Sequence, residues 1–113
     1  MTENEIIKTG RDVIKIEADA VANLEKSINQ DFVKAVDIIY ATKGRVVLTG
    51  MGKSGLIARK IVATLNSTGT AAIYLHPTDA LHGDLGMVRK EDVVIIISKS
   101  GNTEEMVNLC KKI

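Results

Sequence analysis

A chain of 113 residues that is 45% hydrophobic and 26% charged has the size and balance of one folded domain, not of a disordered tail. A formal net charge of +1, aromatics at 3% and no tryptophan remove the bulk electrostatic and base-stacking grounds for binding nucleic acid or an anionic membrane. The single cysteine, Cys110, excludes an internal disulfide framework and a multi-cysteine metal site, and no apolar run approaches the roughly 20 residues of a membrane span.

The opening Met1-Thr2-Glu3-Asn4-Glu5 lacks the basic region and apolar core of a signal peptide, so a soluble, cytoplasmic protein is expected. Residues 4 to about 43 hold no proline and only Gly10. Ile7, Ile14, Val21 and Ile28 recur every seventh residue, with Ile6, Val13, Ala20 and Leu24 alongside. That stripe predicts an amphipathic helix packed into the core, or packed on a second subunit. Asn29 reads as the N-cap of a second helix carrying Phe32, Val36 and Ile39, which should end at Lys43-Gly44.

Beyond Gly44 three β-branched apolar runs predict strands: Val46 to Leu48, Ala71 to Leu75 and Val93 to Ile97. Continuous apolar strands point to a parallel sheet covered on both faces. Ser54 to Thr68 carries a helical apolar face, Pro77 to Glu91 has room for a turn or two of helix, and a further helix opens at Thr103. The expected fold is a doubly wound, flavodoxin-like α/β class with three α/β/α layers. Residues 1–44 form its N-terminal helical segment and residues 45–113 the first half of the α/β core.

The unusual residues gather where predicted strands end, which is where open α/β sheets bind ligands. Gly50-Met51-Gly52-Lys53-Ser54-Gly55 follows the first strand. It fits the G-x-G-x-x-G pattern, yet the second strand ends in Leu75-His76-Pro77 without the ribose-binding acid, and Val47 stands where a Walker loop needs its first glycine. What remains is a tight turn, a cation and a hydroxyl. Ser98, Ser100 and Thr103 crowd hydroxyls around Gly101 at a helix start, more than one cap requires, and this favours a phosphate monoester. Glu104 and Glu105 suit the first turn of a helix, and one of them could serve as a base. His76 and His82 flank the second loop near Asp79 and Asp84, where hydrogen-bonding roles outweigh a metal role. Cys110 reads as a small buried hydrophobe.

The stretches Val47 to Gly55, Ser67 to Thr70, His76-Pro77, Leu81 to Val88 and Ser98 to Glu105 together resemble the sugar isomerase (SIS) domain family, and within it the arabinose-5-phosphate isomerases. The resemblance implies interconversion of D-ribulose 5-phosphate and D-arabinose 5-phosphate through an enediolate, feeding Kdo and lipopolysaccharide synthesis. The alternative is a non-catalytic, regulatory SIS module that only binds a sugar phosphate. By the motif, Lys53 and Glu105 are catalytic, while Gly52, Ser54, Ser98, Ser100, Thr103 and His82 contact substrate or its phosphate. The resemblance implies no required cofactor, an inhibitory zinc at His82, a pentose-phosphate substrate, no nucleic acid or membrane partner, and a homotetramer or homodimer. Lys99 departs from the family's asparagine between the two serines. The chain resembles about the first 60% of an SIS domain, judged against usual α/β domain lengths. The family's remaining catalytic glutamate and histidine, and its paired CBS domains, fall outside these residues.

Overall fold

The computed structural model describes residues 1–113. The chain divides into two compact units, Met1–Asp37 and Ile38–Ile113.

The first unit is helical. Helix α1, Glu3–Asn23, opens on a capping box in which the Thr2 hydroxyl accepts from the Glu5 amide at 3.2 Å and the Glu5 carboxylate accepts from the Thr2 amide at 2.7 Å. A 3₁₀ turn over Leu24–Ser27 follows, then helix α2, Gln30–Ala41, whose residues from Ile38 onward belong to the second unit. Asn29 caps α2 as its sequence position suggests, its side-chain oxygen accepting from the amides of Asp31 and Phe32 at 3.0 and 3.4 Å. Neither helix buries a residue. The expectation that the α1 stripe packs into a core is therefore not met within this chain: Ile14 and Val21 are each 67% exposed. Helix α2 also stops at Ala41, short of Lys43-Gly44. Gly44 is not a left-handed cap. A Cβ there would lie 2.5 Å from the Glu91 backbone, so glycine serves a close approach between chain segments.

The second unit is the α/β core. Strands β1 (Val46–Gly50), β2 (Ala72–Tyr74) and β3 (Val93–Ile97) form a parallel sheet in the order β2-β1-β3. Between them lie α3 (Gly52–Ser67), the short α4 (Pro77–Leu81) and a 3₁₀ turn over Asp84–Met87, and α5 (Glu104–Lys112) follows β3. Alternation along β1 splits its side chains between two faces. Val46 and Leu48 pack with Ala58, Val62 and Leu65 of α3, while Val47 packs with Leu75, Ala80 and Leu109 on the α4–α5 side. Helices on both faces make β1 buried along its whole length, which explains its unbroken apolar run. The expected doubly wound class is observed, with the flavodoxin strand order for the strands present.

At the edge of the sheet where strands begin, Arg45 precedes β1 and Asp92 precedes β3. Their side chains form an ion pair in which the Asp92 side chain is 1% exposed. Arg45 also donates to the Met87 carbonyl at 2.6 Å, fastening the segment before β3 to the start of β1.

Candidate functional site

The opposite edge of the sheet is where the chemistry-bearing loops meet. In the order β2-β1-β3, chain connections diverge to either side of β1, and the gap between the ends of β1 and β3 is the switch point at which such sheets hold ligands. A cavity of about 270 Å³ occupies it. Met51 and Ser54 line it from the β1–α3 turn, and Ile97, Ser98, Lys99, Ser100, Thr103 and Met106 line it from β3, the following loop and α5.

The first wall is made by glycines. Gly52 has φ +56°, a left-handed conformation that costs glycine nothing and lets the chain reverse from β1 into α3 within one residue. No side chain caps α3, so its first amides stay free to face an anion. The second wall is a hydroxyl-rich loop ordered by its own backbone. The Gly101 amide donates to Ser98 Oγ at 3.0 Å, and the Asn102 amide donates to Ser100 Oγ at 3.2 Å. Each serine accepts from the loop and keeps its own O–H proton to donate to a ligand. Gly101, at φ +72°, allows this turn. Thr103 occupies the N-cap of α5, but its hydroxyl caps nothing. Ordinary capping therefore does not use up these groups.

Ser54, Ser98, Ser100 and Thr103 are thus brought together, and Gly52 forms the turn beside them. Lys53 and Glu105, marked by the resemblance as catalytic, lie beside the cavity and not in its lining. Lys53 is exposed at the second position of α3. Glu105 turns toward α4, where Thr78 Oγ1 donates to Glu105 Oε2 at a long 3.4 Å. Successive helical residues point about 100° apart, so Met106 and Thr103 can face the cavity while Glu105 faces α4.

His82 is exposed at the end of α4. No group of three or more His, Cys, Asp or Glu side chains gathers anywhere in the chain, so the residues around His82 do not make a donor set for zinc. His76 has a structural part: it caps α4, its Nδ1 accepting from the Thr78 amide at 3.1 Å. Cys110 is exposed, contrary to the expectation of burial. Its neighbour Leu109, at 0% exposure, takes the buried face of α5.

Three residues near the site carry no obvious mark in the sequence. Thr49, one residue before Gly50, is fully buried and its hydroxyl has no partner. Tyr74 donates from its phenol to the Gly50 carbonyl at 2.8 Å. Arg59 lays its guanidinium 4.2 Å from the centre of the Tyr74 ring. The β-strand period places Tyr74 on the α3 face, but its reach to Gly50 depends on strand register, which one sequence does not state.

Comparison with known proteins meets the same residues. Residues 38–113 match the family model for the SIS domain. The chain is 50% identical over 110 residues to arabinose 5-phosphate isomerase KdsD of Pseudomonas aeruginosa, covering 96% of this chain and 34% of that protein. It is 49% identical over 102 residues to KdsD of Escherichia coli K12, covering 90% and 31% respectively. The chain spans about a third of the length of these relatives. The solved structure of Escherichia coli CFT073 c3406 in complex with arabinose 5-phosphate superposes with a TM-score of 0.92 at 41% identity, over 99% of this chain and 60% of that one. With its glycine turn, its hydroxyl loop and its strand order all inside the matched segment, the chain belongs to the SIS domain family.

Proposed function

We propose that the protein carrying this chain is an aldose–ketose isomerase that interconverts D-ribulose 5-phosphate and D-arabinose 5-phosphate. The observation that carries this reading is the convergence of Ser54, Ser98, Ser100 and Thr103 on one cavity between the free amino ends of α3 and α5. Hydroxyl donors and unpaired helix amides suit a phosphate monoester. The names of the relatives and of the sugar-phosphate-bound neighbour supply the sugar class.

The isomerisation moves one carbon-bound proton between C2 and C1, and one hydroxyl proton between O1 and O2, through an enediolate. It is redox-neutral overall, so it needs no redox cofactor. It does need a base and a positive charge near the enediolate oxygens. Glu105 is the proposed base and Lys53 the proposed cation. Their absence from the phosphate cavity suits this division: an open-chain pentose phosphate holds its C1–C2 end a whole carbon chain away from its phosphate. Gly52 shapes the phosphate turn, and His82 is assigned to the sugar end from the second loop.

The same reading places the enzyme in the cytoplasm, in the supply of Kdo for lipopolysaccharide, without a nucleic-acid or membrane partner. No helix is long and apolar enough to cross a membrane. A homodimer or homotetramer fits the apolar side chains left open on both units, among them Ile14 and Val21 on α1 and Leu56 and Ile57 on α3, at 66% and 57% exposure for the latter pair.

The test is to incubate the full-length protein with D-ribulose 5-phosphate and follow D-arabinose 5-phosphate. Its appearance is the expected result. Tight sugar-phosphate binding without turnover would instead make the protein a binding module.

A further inference from the structure

The wall of the cavity built by the β1–α3 turn is held from behind. Pairing between β1 and β2 ends at Leu48 with Tyr74, so Gly50 lies two residues past the last β2 partner. The Tyr74 side chain spans that gap and donates to the Gly50 carbonyl at 2.8 Å. The first turn of α3 packs directly on this hydrogen bond. A Cβ on Gly55 would lie 2.6 Å from the Gly50 oxygen and 2.8 Å from the Tyr74 hydroxyl, and a Cβ on Gly50 would lie 2.9 Å from the Ser54 carbonyl carbon. Four residues beyond Gly55 on the same helix, Arg59 covers the ring face at 4.2 Å. The His76 ring meets Tyr74 edge-on at 6.5 Å.

We infer that Tyr74 is a positioning residue for the anion site, acting through the Gly50 carbonyl on the turn that presents Met51 and Ser54 to the cavity. This rests on the reading of that cavity as the phosphate site. The phenol touches neither the cavity nor the proposed reacting groups. Its hydroxyl sets where β1 ends and α3 begins, and the hydroxyl of Ser54 and the free amides of α3 move with that junction. Two glycines, Gly50 and Gly55, make the packing close enough for a single hydrogen bond to matter. Arg59 keeps the ring in place, and in its absence the phenol would be free to swing off α3.

The experiment compares wild type with Tyr74→Phe in the full-length protein. The variant keeps the ring, its contact with Arg59 and its apolar packing, and loses only the hydroxyl. Inorganic phosphate binding is measured by calorimetry, turnover of ribulose 5-phosphate by steady-state kinetics, and stability by thermal unfolding. Val62→Ala, in the same α3 core but away from Gly50, serves as the control for general loosening. The expected result is that Tyr74→Phe weakens phosphate binding and raises KM by the same factor of about five, the scale of one neutral hydrogen bond, with kcat little changed. Val62→Ala should lower the unfolding temperature without that effect. Unchanged phosphate affinity in Tyr74→Phe overturns the inference, as does an equal loss of affinity in Val62→Ala. If wild type binds phosphate but does not turn over ribulose 5-phosphate, the isomerase reading fails alone, and the ratio of phosphate affinities decides the part played by Tyr74. If wild type binds no phosphate, both fall.

Discussion

The Arg45 guanidinium holds the Asp92 carboxylate at 3.0 Å where β1 and β3 begin, and the Arg45 and Arg89 amides add bonds of 2.7 and 2.8 Å to the same carboxylate. The Arg45 side-chain bond is the largest cause, followed by the two backbone amides, and together they hold the Asp92 carboxyl well below the usual carboxylate range against the opposing cost of burial. A folded-state value below the unfolded one makes the contribution to stability complete above the ordinary value of 3.8 and lost as pH falls below it. Asp92→Asn should therefore cost about 2–3 kcal/mol at pH 7. It should also flatten the fall in stability between about pH 4 and 2. Thermal unfolding across that range checks both; a variant as acid-sensitive as wild type would contradict the assignment.

Lys53 and Lys99 are both exposed lysines near the site, but they have different work in the proposed reaction. Lys99 lines the cavity proposed for the phosphate and should help hold substrate. Lys53 is the proposed partner of the enediolate. Lys53→Ala should lower kcat by about 100-fold or more. Lys99→Ala should mainly raise KM, by about tenfold or less. Equal effects on kcat from the two variants would remove Lys53 from its role.

Glu104 and Glu105 both favour the start of α5 through its dipole, so neither should matter much for folding. Only Glu105 meets Thr78 across the gap to α4. Glu105→Gln should reduce kcat by about 100-fold or more, while Glu104→Gln should leave it within about threefold. Steady-state kinetics with matched melting curves decide this, and similar losses in both variants would count against a base at Glu105.

Thr49 presents a buried hydroxyl with no partner, and such a group costs about 1–3 kcal/mol relative to a satisfied one. Thr49→Val keeps the shape and removes the polar atom. It should raise unfolding free energy by about 1 kcal/mol, read from denaturant melts without ligand. A loss of stability would mean that the hydroxyl is satisfied in the folded protein.

The parallel sheet is legible in the three β-branched runs because a strand covered on both faces has no polar alternation to obscure it. The hydroxyl loop is legible because Ser98, Ser100 and Thr103 exceed what one helix cap can use. The α1 stripe identifies a helix but not its packing partner, since periodicity reports which face is apolar and not what covers it. Gly44 has the sequence setting of a helix stop, whereas its neighbour in space is Glu91, remote in sequence. Tyr74 and Arg59 escape a sequence reading for a related reason: they act on the site through register and contact across elements. Lys53 and Glu105 are marked by resemblance, and neither lines the cavity beside which they lie.

Strand β1 is buried at every one of its 5 residues. At one end it begins beside the clasp of Arg45 and Asp92, and at the other it ends in the carbonyl that Tyr74 grips. A short, fully walled strand has little room to stretch or tilt. Amide exchange along Val46 to Gly50 should thus be among the slowest in the domain, while the loops at its far end breathe. The turn that presents Ser54 to the cavity is thus fixed to a strand held at both ends, so loosening the Arg45–Asp92 clasp would reach that turn through a single length of backbone.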